Sequence, residues 1–173
     1  VPIFEQCDDL ILDGVTEFDL NTQNPLITGG SSFLNVSYYV SQTDADTPIN
    51  PLVSPYTNVT DPETIFVRVE DNTTGCHDTF LMDLLVIPPP DIFQPDPLEY
   101  CDPDNDEFGE FTLTDADSQV TGGIPLGNLQ VSYHFTIEDA QNGVNPLDSP
   151  YISDGINQIV FVRLIDQTTG CYG

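Results

Sequence analysis

The chain repeats itself once along its 173 residues. Seven short landmarks occur twice in the same order, 93 to 95 positions apart: a cysteine, then TGG, VSY, NPL, SPY, FVR and TTGC. Because seven matches in one order do not arise by chance, the sequence predicts two tandem copies of one module, residues 1–90 and 98–173. A length of about 95 residues suits a small β-sandwich.

Within each copy, short β-forming runs alternate with clusters of Gly, Pro, Asn and Asp. The runs NVSYYVS and TIFVRVED place apolar side chains at every second position, as half-buried antiparallel strands do. DNTTGC predicts a tight hairpin turn in which Gly75 adopts a positive φ. These patterns predict an all-β fold, two tandem immunoglobulin-like antiparallel β-sandwiches.

A proline-rich stretch, PPPDIFQPDP at residues 88–97, separates the copies and predicts a stiff linker. Gly173 corresponds to Asp78, so the strand predicted at residues 79–87 has no counterpart in the second copy. The second sandwich is therefore predicted to lack its last strand in this chain. The pattern leaves open whether that strand is cut off or comes from elsewhere.

Charge excludes several classes of function. Asp and Glu number 29 against 2 Lys and Arg, which gives a formal net charge of −27. Such a chain repels nucleic acid and anionic membrane surfaces, and its longest apolar run is far too short to span a bilayer. We therefore expect no nucleic-acid binding and no membrane insertion.

Four cysteines form an even, widely spaced set: Cys7, Cys76, Cys101 and Cys171. They lack the close CxxC pairs that zinc sites use, so the spacing favours disulfides. Disulfides persist in oxidising compartments, which predicts an extracytoplasmic location.

Several motifs carry a family resemblance. CDPDNDEFGEFTL, VSYY and IFVRVEDNTTGC resemble the tandem repeats of giant surface proteins in Bacteroidetes, especially flavobacteria. Those proteins are similar to gliding-motility adhesins exported by the type IX secretion system. The resemblance implies an immunoglobulin-like or PKD-like β-sandwich, a place on the cell surface, and an adhesive or stalk role among neighbouring repeats of the same chain. The sequence contains no Trp, so it departs from the Cys, Trp, Cys core of antibody domains.

Equal spacing within the copies suggests how the cysteines pair. Cys7 and Cys76 are 69 positions apart, and Cys101 and Cys171 are 70 apart. One disulfide per copy is predicted on this basis, Cys7–Cys76 and Cys101–Cys171, each stabilising a small core. The alternative is a bridge from Cys76 to Cys101 across the linker.

An acidic loop opens the second copy and predicts a calcium site. Calcium takes six to eight hard oxygen ligands, which carboxylates at alternating positions of a turning loop can supply. The predicted ligands are Asp102, Asp104, Asp106, the backbone carbonyl of Phe108, and Glu110. The loop is not an EF-hand, because Glu107 stands where that motif has glycine and Leu113 stands where it has a bidentate Glu. The alternative is a solvated acidic turn.

The equivalent stretch of the first copy is CDDLILDGVTEF, in which apolar residues replace the middle ligands. A weaker calcium site is predicted there, formed by Asp8, Asp9 and Asp13.

No set of residues predicts catalysis. The two histidines, His77 and His134, correspond to Tyr172 and Tyr39 in the other copy, which indicates surface aromatic positions rather than a general base. Arg68 and Arg163 are predicted to form structural ion pairs. We therefore expect a non-catalytic spacer repeat of a surface adhesin, stiffened by calcium and intra-repeat disulfides. The alternative is a calcium-dependent module that binds a glycan or protein, with Tyr39, Tyr56 and Tyr151 as candidates for stacking on sugars.

Overall fold

A computed structural model describes residues 1–9, 11–103, 106–155 and 157–173 of the protein. Strands hold 31% of the residues and helices 17%, which confirms the predicted all-β class. The immunoglobulin-like assignment stays a prediction. The chain divides into two units, Val1–Pro88 and Pro89–Gly173, and each is described by itself.

Six strands and three short helical segments form the first unit. The strands are β1 (Ile3–Cys7), β2 (Glu17–Phe18), β3 (Leu34–Tyr39), β4 (Tyr56–Thr57), β5 (Glu63–Asp71) and β6 (His77–Ile87). The helical segments are a 3₁₀ turn (Leu20–Gln23), α1 (Asn24–Thr28) and α2 (Gln42–Asp46).

Four of these strands make one sheet in the order β1-β6-β5-β3. The β3–β5 and β5–β6 pairs are antiparallel, whereas β1 runs parallel to β6 with Cys7 opposite Ile87. β2 and β4 form a separate two-stranded ribbon. The connection from β5 to β6 is the predicted hairpin, and the φ of 74° at Gly75 confirms its turn.

One face of the four-stranded sheet carries the core of the first unit. Alternate residues of β3, β5 and β6 point to this face, as the period of two requires. They pack against Phe18 and Leu20 from β2 and the 3₁₀ turn. The buried sheet residues are Tyr38, Ile65, Val67, Met82, Leu84 and Val86.

The second unit repeats part of this plan. Its strands are β7 (Glu110–Phe111), β8 (Leu129–His134), β9 (Tyr151–Ile152) and β10 (Phe161–Asp166). Its helical segments are a 3₁₀ turn (Leu113–Ala116), α3 (Asp117–Val120) and α4 (Ile137–Asn142). β10 pairs with β8 as β5 pairs with β3, and β7 pairs with β9 as β2 pairs with β4.

The short helix after β3 and the one after β8 each begin at a capped residue. The Ser41 hydroxyl accepts a hydrogen bond from the Asp44 backbone N–H at 3.1 Å, and the Thr136 hydroxyl accepts one from Asp139 at 3.0 Å. Each cap also donates to the carboxylate of that Asp, so the two residues satisfy each other's polar groups. The same capping in both units supports the duplication seen in the sequence.

Candidate functional site

The cysteines are in two chemical states. Cys7 and Cys171 are disulfide-bonded, whereas Cys76 and Cys101 are free and exposed. The predicted pairs Cys7–Cys76 and Cys101–Cys171 each join one bonded cysteine to one free cysteine. Both predicted pairs are therefore wrong, and so is the alternative bridge from Cys76 to Cys101.

The first unit shows why its two cysteines do not meet. Cys7 ends β1 opposite Ile87, the last residue of β6, whereas Cys76 directly precedes His77, the first residue of β6. At about 3.3 Å per residue, these two ends of β6 lie about 33 Å apart. A disulfide requires Cα atoms about 4.4–6.8 Å apart, so the sheet holds the two cysteines at opposite ends, out of bonding reach.

The two hairpin cysteines occupy the same local structure despite their different states. The Cys76 N–H donates to the Thr74 hydroxyl at 3.2 Å, and the Cys171 N–H donates to the Thr169 hydroxyl at 3.2 Å. Cys76 is exposed, but only 1% of the Cys171 surface is accessible. Local hairpin geometry is thus common to both, and the state of each cysteine depends on what it contacts beyond the hairpin.

An aspartate stabilises each of these hairpins. In the first unit, the backbone N–H groups of Thr73 and Thr74 donate to Asp71 Oδ1 at 2.7 and 3.1 Å, which lowers the pKa of Asp71. Its equivalent in the second unit, Asp166, accepts from the Thr168 N–H at 2.7 Å. The stabilisation by Asp71 is present at neutral pH and is lost as the pH falls through its lowered pKa.

The acidic loop of the first unit uses its carboxylates to bind backbone N–H groups. Asp8 Oδ2 accepts from the Gly14 N–H at 3.1 Å, which closes the loop on itself. Asp9 accepts from Ile11 at 2.6 Å, and Asp13 accepts from Val15 at 2.9 Å.

The loop of the second unit closes in the same way. Asp102 Oδ2 accepts from the Glu107 N–H at 2.9 Å, and Asp106 accepts from the Phe108 N–H at 3.0 Å. Phe108 is exposed, and Glu110 lies in β7 opposite Ile152. Asp104 lies outside the described residues. Among the residues that are described, no group of three or more His, Cys, Asp or Glu side chains is placed to hold a metal ion.

Glu107 occupies a strained backbone conformation. Its φ is 68°, and Gly14, the matching residue of the first copy, has a φ of 74°. This left-handed region costs a residue with a side chain about 1–2 kcal/mol, whereas glycine adopts it readily. The hydrogen bond that the Glu107 N–H donates to Asp102 Oδ2 holds Glu107 in this conformation.

Replacing Glu107 by Gly is therefore expected to stabilise the second unit by about 0.5–1 kcal/mol, because strain relief exceeds the added chain entropy. Urea unfolding, with hydrogen exchange to localise the effect, measures the change. Gly14→Ala is the matched reverse variant and should destabilise the first unit by about 1–2 kcal/mol. The added Cβ meets only an ordinary contact of 3.5 Å with Asp61, so the loss reports backbone strain. Equal stability of Glu107→Gly and the original protein would contradict the argument.

The two arginines occupy equivalent positions with different partners. Arg68 is buried, forms an ion pair with Glu70 at 2.6 Å and donates to the Ala45 carbonyl at 3.0 Å, which confirms its predicted structural role. Arg163 donates to the carbonyls of Ala140 and Gln141 and lies 3.5 Å from the centre of the Tyr172 ring. Ile165 stands where the first copy has Glu70, so a cation–π contact replaces the ion pair.

The prediction that His134 is a surface residue is wrong. His134 and its counterpart Tyr39 are both buried, at 0% and 2% exposure. One His134 ring nitrogen lies 2.8 Å from the Val144 carbonyl oxygen and the other 2.9 Å from the Ser132 hydroxyl. Both ring nitrogens therefore have partners inside the unit, which is a structural role.

The three tyrosines predicted to stack on sugars are buried or half-buried. Tyr39 is buried, so its predicted role as an exposed stacking residue is wrong. Tyr56 and Tyr151 are half-buried, and their hydroxyls donate to Glu63 at 2.7 Å and to Gln158 at 2.9 Å. Burial and the adjacent Glu63 raise the pKa of Tyr56 to about 12.

Two equivalent tyrosine hydroxyls, on β3 and β8, bond each strand to the helical segment that precedes it. Tyr38 donates to the Leu20 carbonyl at 2.9 Å and to Asn24 at 2.7 Å, and burial raises its pKa to about 12. Tyr133 donates to Asp117 at 2.6 Å, and its pKa is raised by burial and then by that carboxylate. Neither hydroxyl is available to a ligand.

Comparison with known proteins identifies the chain. It belongs to the family described as the Flavobacterium inter-domain disulphide bond domain, which matches residues 3–90 and again residues 97–173. The family supports a flavobacterial origin. No curated protein and no solved structure matches the chain. In the described parts of the chain, no helix has the length and apolar character needed to cross a membrane.

Proposed function

We propose that this pair of inter-domain disulphide bond domains is a non-catalytic structural segment of a large extracellular adhesin, in which disulfides join successive repeats. The observation that carries the proposal is the placement of Cys7 and Cys76 at opposite ends of β6. A module built in this way can form one disulfide with the preceding repeat and one with the following repeat. The family description and the resemblance to gliding-motility adhesins exported by type IX secretion support the same role.

The state of each cysteine supports a disulfide between the copies. Cys7 belongs to the first strand of copy one, and Cys171 follows the hairpin of copy two; both are bonded, while the chain's other two cysteines are free. We infer that Cys7 bonds to Cys171. By the same rule, Cys76 would bond to the first cysteine of a preceding repeat and Cys101 to the hairpin cysteine of a following repeat. A continuous series of such bonds would carry tension along the array if a single repeat unfolded.

Peptide mapping of the oxidised protein tests the pairing. Free thiols are first alkylated without reductant, and the protein is then digested with pepsin at acidic pH, where disulfides do not exchange. We expect a linked pair of peptides containing Cys7 and Cys171, with the alkyl groups on Cys76 and Cys101. A linked pair containing Cys7 and Cys76 would overturn the proposal.

Adding a repeat tests whether the first cysteine of each repeat bonds to the hairpin cysteine of the next repeat. Fusing a further copy of residues 1–96 ahead of Val1 places a new first-strand cysteine one module before Cys76. We expect Cys76 to become oxidised and to form a linked peptide with that new cysteine. The matched control carries Ser in place of the added first-strand cysteine and should leave Cys76 open to alkylation. If Cys76 stays reduced in both proteins, the disulfide series does not extend beyond one pair of repeats.

Calcium binding by the acidic loop stays a prediction, separate from the disulfide linkage. Asp102 and Asp106 each accept one backbone N–H, and among the described residues no group of three or more His, Cys, Asp or Glu side chains is placed to hold a metal ion. If calcium binds, a concentration ten times its dissociation constant should stabilise the second unit by about 1.4 kcal/mol.

Thermal melting with millimolar calcium measures this effect, and magnesium at equal ionic strength controls for screening of the acidic surface. Asp102→Asn is the matched variant, because the amide oxygen can still accept the Glu107 N–H while the charge is lost. A calcium-specific shift that disappears in Asp102→Asn would support the site. A shift of equal size with magnesium, or in the variant, would remove it.

A further inference from the structure

The second unit has a cavity of about 300 Å³ between α3 and the loop that leads to β8. This volume is at the lower end of the range found for small-molecule sites in proteins. Two segments of the chain supply its lining. The helical segments contribute polar groups from Thr114, Asp117 and Ser118, and the loop contributes aliphatic groups from Ile124, Pro125 and Leu126.

The polar groups of the cavity are open to a ligand. Asp117 Oδ1 accepts the hydroxyl of Tyr133 at 2.6 Å, which fixes the position of the carboxylate. Among the described residues, no donor is placed on the other carboxylate oxygen, and the side-chain hydroxyls of Thr114 and Ser118 have no hydrogen-bond partner. A carboxylate can accept about four hydrogen bonds. One carboxylate and two hydroxyls are therefore available to bind polar groups of a ligand.

The aliphatic wall of the cavity is held in place by the loop itself. The Thr121 hydroxyl, which is buried, donates to the Ile124 carbonyl at 2.8 Å. The Gly123 N–H donates to the Ser118 carbonyl at 2.7 Å, and the φ of 82° at Gly123 is one that glycine adopts readily. Ile124 and Leu126 are exposed. The loop therefore presents apolar surface to solvent in a fixed position.

The first unit shares the frame of this site but not its polar groups. Asn24 stands where the second copy has Asp117, and it accepts the Tyr38 hydroxyl at 2.7 Å, as Asp117 accepts the equivalent tyrosine. Pro25 stands where the second copy has Ser118. The loop between the TGG motif and the next strand has three residues in the first copy and five in the second. The carboxylate, the Ser118 hydroxyl and the longer loop are thus not needed for the fold that the copies share.

A sugar residue matches this lining, because its hydroxyls can donate to a carboxylate while the C–H groups of its ring pack on aliphatic side chains. A hydroxyl makes a stronger hydrogen bond to a charged acceptor than to a neutral one. The formal net charge of −27 disfavours acidic sugars. We propose that the cavity binds a neutral sugar residue of a glycan, with Asp117 accepting its hydroxyls and Ile124 and Leu126 packing against its ring. This binding adds ligand recognition to the spacer role and is independent of the disulfide between repeats.

Titration of the whole oxidised chain with neutral methyl glycosides, followed by proton–nitrogen correlation NMR, tests the site. The panel contains the methyl glycosides of glucose, galactose, mannose and N-acetylglucosamine. We expect at least one of them to shift the amide resonances of residues 114–126 saturably, with half-saturation at about 1–10 mM for so small a ligand. If no member of the panel shifts these resonances at concentrations up to about 100 mM, the proposal is wrong.

Variants of the polar groups test the assignment of the ligands. Asp117→Asn keeps an oxygen that can accept the tyrosine hydroxyl, as Asn24 does, and should raise the half-saturation concentration about tenfold. Ser118→Ala removes one exposed hydroxyl and should raise it about threefold. Asp115→Asn is the matched control, because it makes the same change of charge outside the cavity lining and should bind as the original does. Unchanged binding in Asp117→Asn, or equal weakening in Asp115→Asn, would contradict the proposal.

The first unit provides an internal control in the same titration. Residues 21–33, which carry Asn24 and Pro25, should show no saturable shift. Equal shifts in both units would mean that Asp117 and the longer loop do not make the site. Methylammonium chloride tests the other kind of ligand that a carboxylate attracts. If methylammonium shifts the resonances of residues 114–126 and the glycosides do not, the cavity is a cation site and the sugar proposal is wrong.

Discussion

Replacing Leu84 by Ala is expected to lower the free energy of unfolding of the first unit by about 3 kcal/mol. Leu84 lies in the middle of β6, is completely buried, and packs within the cluster that includes Phe18 and Ile65. Large-to-small changes at such positions cost about 2–5 kcal/mol, because they remove apolar contacts and leave a cavity. Urea unfolding of the full chain measures the loss, and hydrogen exchange assigns it to the first unit.

Leu81 provides a matched control on the same strand. It lies an odd number of residues from Leu84, so it points to the other face, and 38% of its surface is exposed. Leu81→Ala should cost less than about 1 kcal/mol. Equal losses for Leu81→Ala and Leu84→Ala would mean that the core does not lie on the face described.

Much of the fold could be predicted because the relevant signals are local or repeated. The alternation in TIFVRVED correctly indicated a half-buried strand, since a strand has a side-chain period of two, and Ile65 and Val67 lie on its buried face. Gly75 correctly marked the hairpin, because glycine readily adopts its φ of 74°.

The cysteine pairing could not be obtained from spacing. Each cysteine position recurs once per repeat. The spacing within a copy is therefore the same whether the disulfides lie within repeats or between neighbouring repeats. Only the parallel pairing of β1 with β6 shows that Cys7 and Cys76 lie at opposite ends of the sheet. Parallel pairing depends on tertiary packing, and the alternation within a strand does not distinguish it from antiparallel pairing.

The short helices were not predicted, although their capping residues are visible in the sequence. A helix of five or six residues is too short to show an apolar period, so only the Ser41–Asp44 and Thr136–Asp139 pairs could have signalled it. The burial of His134 was not predicted for a related reason. Its exchange with Tyr39 indicates a shared position, but the partners that satisfy its ring nitrogens, Val144 and Ser132, are set by the fold.

Removing the disulfide is expected to lower the stability of the protein by about 2–4 kcal/mol, which is typical of a native disulfide. The double variant Cys7→Ser/Cys171→Ser removes both bonded cysteines. Neither partner of the broken disulfide is then left as a thiol that could bond to Cys76 or Cys101. Urea unfolding of the oxidised protein measures the loss, and adding reductant to the original protein should reproduce it. Reductant should have no further effect on the double variant.

The free cysteines give the matched comparison. Cys76→Ser/Cys101→Ser changes two exposed thiols and should leave the free energy of unfolding within about 0.5 kcal/mol of the original. Reductant should still destabilise this variant as strongly as it destabilises the original protein. If this variant loses as much stability as Cys7→Ser/Cys171→Ser, the free and bonded cysteines have been assigned the wrong way round. The disulfide would then join cysteines other than Cys7 and Cys171.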